Sequence, residues 1–319
     1  MNETQVIQAL LLCKGVSRKT VYKVYNCLLS FSNPDEVLRV LYEVLRNKND
    51  LVHVDSFEAK LDQAKDMYQS VVEQGIKVIS ITDSLYPERF RLIDDPPAIL
   101  YYKGDISTFE TSKNIAVIGT REPTNHGAKI AERLGIQFAE KGCNVISGLA
   151  IGCDTLAHRG CIKGGGKTLA VLPGGLDNVY PSSNRELAEK ILESGGALIS
   201  EYAPGIKPFK GYYIERDRLQ SAFSEVVVVV ETDVQGGTMH TVNFAKQQNK
   251  IIAAYKHPPH YSCESKCQGN IKLIESGDAI SVDSEASIVE IAKLADIKRN
   301  SIYHPQEDKQ KRPEQMRFF

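Results

Sequence analysis

The chain has 319 residues, enough to bury one large core and a second, smaller one. Its 42% hydrophobic and 25% charged residues are ordinary for a globular protein, and no apolar run approaches the roughly 20 residues that span a bilayer. A formal net charge of −1 excludes a generic nucleic-acid sponge, so any nucleic-acid binding must come from a local basic patch.

The start, Met-Asn-Glu-Thr, lacks the basic and apolar regions of a signal peptide. The seven cysteines are an odd count, and most sit in apolar segments, as Cys143 and Cys153 do. They read as reduced core thiols of a cytoplasmic protein. Residues 1–75 read as a small helical domain, with apolar residues at helical spacing over 5–13 and 18–29. The break at Lys14-Gly15-Val16-Ser17 is of the SAM or helix-hairpin-helix kind, whose turn amides can hold a backbone phosphate. It has one glycine where such hairpins usually have two, which favours a packing module.

Residues 76–110 read as a connecting segment. A short strand at 77–81 leads to Leu85-Tyr86-Pro87 and Asp94-Asp95-Pro96-Pro97, then to an apolar strand ending at Lys103-Gly104-Asp105. Prolines fix its turns. Over 111–285, apolar strands recur at 114–120, 144–150, 167–173, 196–202, 225–231, 250–256 and 279–282, with helical patterns between most of them. Such alternation predicts an α/β fold: an extended Rossmann-like parallel sheet with helices on both faces. The five valines of residues 226–230 admit no solvent face, so they mark a central strand. Residues 286–319 read as a short helix at 287–295 and a mobile polar tail.

Several strands run into glycine-bearing turns that open helices, an arrangement that aims backbone amides and helix dipoles at phosphate. After the first strand comes Gly119-Thr120-Arg121, in which glycine permits close approach, threonine hydrogen-bonds and arginine supplies a bidentate fork. After the second comes Ser147-Gly148-Leu149-Ala150-Ile151-Gly152-Cys153-Asp154, with Asp154 where an N-cap belongs. Asp154 and His158, one turn apart, form an acid–base pair on an enzyme reading and a cap plus a hydrogen-bonded imidazole on the plainer, favoured one. Pro173-Gly174-Gly175-Leu176-Asp177 closes the third strand. Arg216 and Arg218 open a later helix, and Gln235-Gly236-Gly237-Thr238 follows the valine strand.

The catalytic inventory is thin: there is no Walker lysine, no HExxH and no nucleophile elbow, and the first turn departs from the dinucleotide fingerprint. No cofactor is expected. His257, His260, Cys263 and Cys267 are zinc-ligand types on one loop, but their compressed spacing and Pro258 and Pro259 favour a loop without metal.

Taken in order, these motifs resemble the DprA/Smf family of DNA-processing proteins over residues 80–285. The resemblance rests on Tyr86-Pro87, Asp95-Pro96-Pro97, Gly119-Thr120-Arg121, Ser147-Gly148-Leu149-Ala150 and Ala157-His158-Arg159-Gly160. It continues through Gly175-Leu176-Asp177, Tyr180-Pro181, Ser200-Glu201, Arg216, Arg218, Val229-Val230-Glu231 and Gly269-Asn270. What it implies is a non-enzymatic, dimeric protein that binds and protects single-stranded DNA and helps load the recombinase RecA in natural transformation or repair. The phosphate-binding residues it implies are Arg121, Ser147, Gly148, Gly152, Arg216 and Arg218; the turns add Gly119, Thr120, Gly237 and Thr238. Bases would stack on Tyr180 or Tyr212. The sequence departs from the family at Asp217, where members usually carry Asn, and at the 236–241 turn. Nothing after residue 285 reads as the winged helix that many members carry.

Two alternatives share the fold. A nucleoside-monophosphate phosphoribohydrolase would need a carboxylate such as Glu231 or Glu201, and a nucleotide sensor would need none.

Overall fold

The computed structural model describes residues 2–27, 33–45 and 57–303. The end of the second expected helix, 28–29, and the polar tail from 304 lie outside the described residues.

Four helices come first: α1 (Glu3–Leu11), α2 (Arg18–Cys27), α3 (Pro34–Leu45) and α4 (Phe57–Glu73). A capping box starts α1: Asn2 Oδ1 accepts from the Gln5 amide and Gln5 Oε1 from the Asn2 amide, both at 2.9 Å. Two strands with a short helix between them follow, β1 (Lys77–Ser80), α5 (Glu88–Arg91) and β2 (Ile99–Gly104), and then α6 (Ser107–Thr111). From there strands and helices alternate: β3 (Lys113–Ile118), α7 (Asn125–Glu140), β4 (Cys143–Ser147), α8 (Cys153–Lys163), β5 (Thr168–Val171), α9 (Arg185–Glu193) and β6 (Ala197–Ser200). The second half runs α10 (Lys210–Ala222), β7 (Val226–Val229), α11 (Thr238–Gln247), β8 (Ile251–Tyr255), α12 (Ser265–Glu275), β9 (Ile280–Val282) and α13 (Glu285–Tyr303).

All the strands join one sheet in the order β1-β2-β6-β5-β4-β3-β7-β8-β9. The pairs from β6 to β9 are parallel; β1 and β2 add an antiparallel edge. The segment read as a connector therefore extends the sheet. The first helices lie over this edge: Thr4 Oγ1 is 3.0 Å from Ser80 Oγ, and Val6, Ile7 and Leu10 share one core with Ile79, Leu100 and Leu198.

The valine strand shows why the central sequence has no polar period. Val227 and Val229 enter the core beneath α10 and α11, while Val226, Val228 and Val230 enter the opposite core with Ile130, Leu134 and Phe138 of α7. Both faces are dry, so alternate residues are all apolar. A fully buried ion pair, Arg89 Nη2 to Glu225 at 2.7 Å, ties α5 to the foot of β7. Beyond β3 the chain first winds to β4, β5 and β6, then crosses to β7 and winds the other way. The strand order thus reverses between β3 and β7, and a crevice opens at their C-terminal ends, as in other doubly wound sheets.

Candidate nucleic-acid interface

The crevice has a volume of about 740 Å³. Its walls are the turn after β3, the start of α8, the first turns of α10 and the loop leading into α11. Gly119 is required at the first wall, because a Cβ there would lie 2.6 Å from Cys153 Sγ. The Thr120 amide donates to the Glu231 carbonyl at 2.9 Å, which joins the β3 turn to the end of β7. Thr120 itself is half-buried and lines the crevice. Arg121 is exposed, and its guanidinium lies 4.7 Å from the centre of the Tyr213 ring. No carboxylate among the described residues lies within 4.0 Å of it. That leaves its N–H fork open above a π-face.

The second wall is more internal than its glycines suggest. Ser147 is buried, and its hydroxyl donates to the Val117 carbonyl at 2.8 Å. The Gly148 amide donates to Asp154 at 3.1 Å, and its carbonyl accepts from Arg216 Nη1 at 2.7 Å. A Cβ on Gly148 would lie 1.8 Å from that nitrogen. Ser147 and Gly148 thus support the floor. Gly152, at φ +82°, is the N-cap residue of α8 and passes close under the Arg121 carbonyl, where a Cβ would come within 2.5 Å. Asp154, expected at the cap, sits two residues past it, inside the first turn of α8, and accepts from the Gly148 and Ala150 amides. Burial pushes its carboxyl above the usual range. His158 bonds instead to Thr168 Oγ1 at 2.6 Å and is fully buried, and burial with the nearby Arg216 charge holds its imidazole down to about 3. The two are not bonded to each other, because Asp154 serves the 148–150 turn and His158 the start of β5.

The two arginines of α10 part company. Arg216 lines the crevice but is 5% exposed, donating to the Gly148 and Val171 carbonyls and, through Nε, to Asp217 at 3.1 Å. Arg218 is 4% exposed and turns away from the crevice, onto Glu201 and the Asp95 carbonyl. Positions i and i+2 lie on opposite sides of a helix, a signal already present in their spacing. The helix face that does point inward runs through Lys210, Tyr213, Asp217 and Gln220. Tyr180 and Phe209, each 56% exposed, stand at the rim. Tyr212 stacks on Tyr202 at 4.1 Å and lines a different cavity. Tyr213, Phe209 and Lys210 were not singled out by the sequence, although their helical spacing with Arg216 was the available cue.

The far wall is the start of α11, with Gly237 as its N-cap residue and Thr238 half-buried behind it. A side chain on Gly237 would meet nothing within 4 Å, so this glycine marks open approach to the helix terminus. Asp217 faces the same space; burial, against the pull of Arg216 and with the added charge of Asp154, raises its carboxyl to about 6.

Glu231, just past β7, is fully buried and accepts from the Thr124 amide at 2.8 Å and the Thr124 hydroxyl at 2.6 Å, holding the start of α7. Gly127 makes room for it. Of the four loop residues with zinc-ligand chemistry, His257 and Cys267 converge with Glu231, while His260 and Cys263 are exposed and stand outside that group.

Residues 77–293 match the family model for DNA recombination-mediator protein A. The chain belongs to the DprA/Smf family. It is 34% identical over 224 residues to DNA processing protein DprA of Bacillus subtilis, covering 70% of this chain and 73% of that one. It is 32% identical over 233 residues to DprA of Streptococcus pneumoniae, covering 72% and 82%. The solved structure of the Streptococcus pneumoniae DprA aligns with a TM-score of 0.74 at 28% identity, over 91% of this chain and 98% of that one. DNA processing protein A from Helicobacter pylori, whose structure is described for its single-stranded DNA binding mode, aligns with a TM-score of 0.60 at 27% identity, over 67% and 95%. The DprA/Smf fold is thus present from the antiparallel edge to the far side of the sheet. No helix among the described residues is long and apolar enough to cross a membrane.

Proposed function

We propose that this protein binds single-stranded DNA in the crevice between β3 and β7, and serves there as a recombination mediator. The observation that carries the reading is Arg121: exposed, stacked on Tyr213 and without a carboxylate partner among the described residues. Beside it, Lys210 adds a second exposed cation, and Tyr180 and Phe209 offer bare aromatic surface. Cations along a groove with aromatics between them suit a strand whose bases are unpaired, since every base has a π-face and every nucleotide a phosphate. Gly119, Thr120, Gly152, Gly237 and Thr238 shape and line the phosphate path; Ser147, Gly148 and Arg216 hold its floor; Arg218 keeps α10 in place. From the family come the remaining parts of the proposal: protection of the strand, handover to RecA, a homodimer and a cytoplasmic setting.

The hydrolase alternative draws no support from its two carboxylates, since Glu231 is engaged by Thr124 and Glu201 by Arg218. The test is fluorescence anisotropy of the protein with a labelled oligo-dT strand at several salt concentrations, with duplex and free AMP as competitors. Binding that weakens with salt, prefers the single strand and ignores AMP is expected. Displacement by micromolar AMP, or no binding at low salt, would overturn the proposal.

A further inference from the structure

Strands β7 and β8 are parallel neighbours in register, Val229 opposite Ala254, so the residues just past their ends are brought together. Glu231 follows β7 and His257 follows β8, and Cys267 in the first turn of α12 closes over them. A carboxylate oxygen of Glu231, a ring nitrogen of His257 and the Cys267 sulfur all lie within 4.8 Å of one another. Glu231 and Cys267 are fully buried.

The imidazole is set for a further ligand. His257 Nε2 is 2.9 Å from the Val230 carbonyl, which can only accept, so that nitrogen carries the hydrogen and Nδ1 presents a lone pair. This Nδ1 is buried, with no hydrogen-bond partner among the described residues, and so is Nε2 of His126. The His126 ring centre is 5.6 Å from that of His257. Buried ring nitrogens without a partner are uncommon, and the lone pair on His257 Nδ1 is one that a bound cation would satisfy.

We propose that Glu231, His257 and Cys267 bind one divalent metal ion of the zinc class. A carboxylate, a thiolate and a neutral imidazole bring two negative charges to a dication, giving a site with no net charge to bury. Bonds of about 2.0–2.3 Å in a tetrahedron place ligand atoms roughly 3.3–3.8 Å apart, so side-chain rotations of about an ångström close the site. The outer contacts are of the kind that orient metal ligands: Val230 holds the imidazole tautomer, and Thr124 holds the carboxylate through its amide and hydroxyl. The fourth position falls to His126 Nε2 or to a water. The ion would tie together the ends of β7 and β8, α12 and, through Thr124, the start of α7. It would also fix the Glu231 carbonyl on which the Thr120 amide rests, next to Arg121. Its role is structural, and it does not depend on the DNA proposal.

The experiment uses the full chain, stripped with a chelator and then titrated with Zn²⁺ and with Co²⁺. One equivalent of zinc should bind, and cobalt should show a thiolate charge-transfer band with the visible bands of a four-coordinate ion. Cys267→Ser should abolish the charge-transfer band. His257→Gln, which keeps the thiol and is the fallback should Cys267→Ser fail to fold, should weaken zinc by at least about a hundredfold. Cys263→Ser should change nothing. Less than stoichiometric binding, or a cobalt band that survives Cys267→Ser or disappears with Cys263→Ser, would overturn the proposal.

Discussion

Helix α10 separates two concavities of similar size, and they differ in how their arginines are partnered. On one side is the switch-point crevice, where Arg121 rests on an aromatic ring and Lys210 is exposed. On the other is a pocket of about 620 Å³ between α10 and the turn at residues 14–17. There Arg18 meets Asp95 at 2.8 Å, Glu215 at 2.7 Å and Glu201 at 3.5 Å, and Arg218 also bonds Glu201. Both concavities hold arginine, tyrosine and acid. In the second the arginines are matched within the fold, so they fasten the helical domain to the sheet. In the first, charge is left over for a ligand. Which role an arginine plays is thus decided by its partners rather than by its presence in a groove.

The comparison breaks most sharply at Arg218. Replacing it with Ala strands Glu201, whose side chain is 6% exposed, and removal of one partner of a buried pair costs about 3–5 kcal/mol. Arg18, 3.5 Å from Glu201, offsets part of that, so the loss should fall at the lower end. Urea unfolding reads the loss, while the folded fraction should bind single-stranded DNA as before. A large drop in affinity with stability intact would move Arg218 into the binding set. Arg121→Ala should do the reverse. About 1.5–3 kcal/mol of binding goes with a charge-assisted contact, a loss of roughly 10- to 150-fold. The slope of log affinity against log salt should shrink by about 0.7, one phosphate on a single strand. Its unfolding midpoint should hardly move, since the side chain is exposed and has no carboxylate partner among the described residues. Tyr180→Ala sharpens the aromatic half of the argument: about 1–2 kcal/mol of affinity should disappear whichever base the strand carries, and the salt slope should not change.

Much of this frame is legible in the sequence. The parallel strands were found because dry strands such as 226–230 need apolar residues on both faces. The glycine turns were found because backbone close to a ligand or another strand has no room for Cβ, as at Gly119 and Gly152. What escaped depends on partners distant in sequence. Strand β2, with β1 paired to its other side, joins the sheet through antiparallel pairing with β6, roughly a hundred residues on, which no local pattern records. Ser147 looks like a phosphate ligand until Val117 is seen to take its hydroxyl, and Arg218 until Glu201 is placed beside it. Of two adjacent tyrosines, helix phase alone puts Tyr213 in the crevice and Tyr212 against Tyr202. The His/Cys loop was visible as chemistry, but its third member, Glu231, comes from the neighbouring strand.

The smallest effect concerns pH, and here the two sides of α10 have opposite signs. Burial raises Asp95 and Glu215, but hydrogen bonds to Arg18 and its charge outweigh it and hold both below their ordinary values. Their stabilisation is present above the ordinary carboxylate range and fades as pH falls through the depressed native values. Asp217 is raised by burial from an ordinary 3.8 to about 6. Between those two values the folded chain keeps a proton that the unfolded chain has released, so stability from this group falls as pH rises. Asp217→Asn should therefore flatten the decline between about pH 4 and 6, leaving the acid limb set by Asp95 and Glu215 untouched. Asp154, also raised by burial, keeps a residual slope in the variant. The same substitution removes a negative charge from the crevice wall, so affinity for single-stranded DNA at pH 7.5 should improve by about 0.5 kcal/mol, the scale of one partly screened charge. That gain should shrink as pH falls through about 6 and be nearly gone by about pH 5, where the wild-type carboxyl is itself mostly neutral. A gain that persists at low pH would mean that the side chain acts by shape, and the charge comparison across α10 would then rest on the arginines alone.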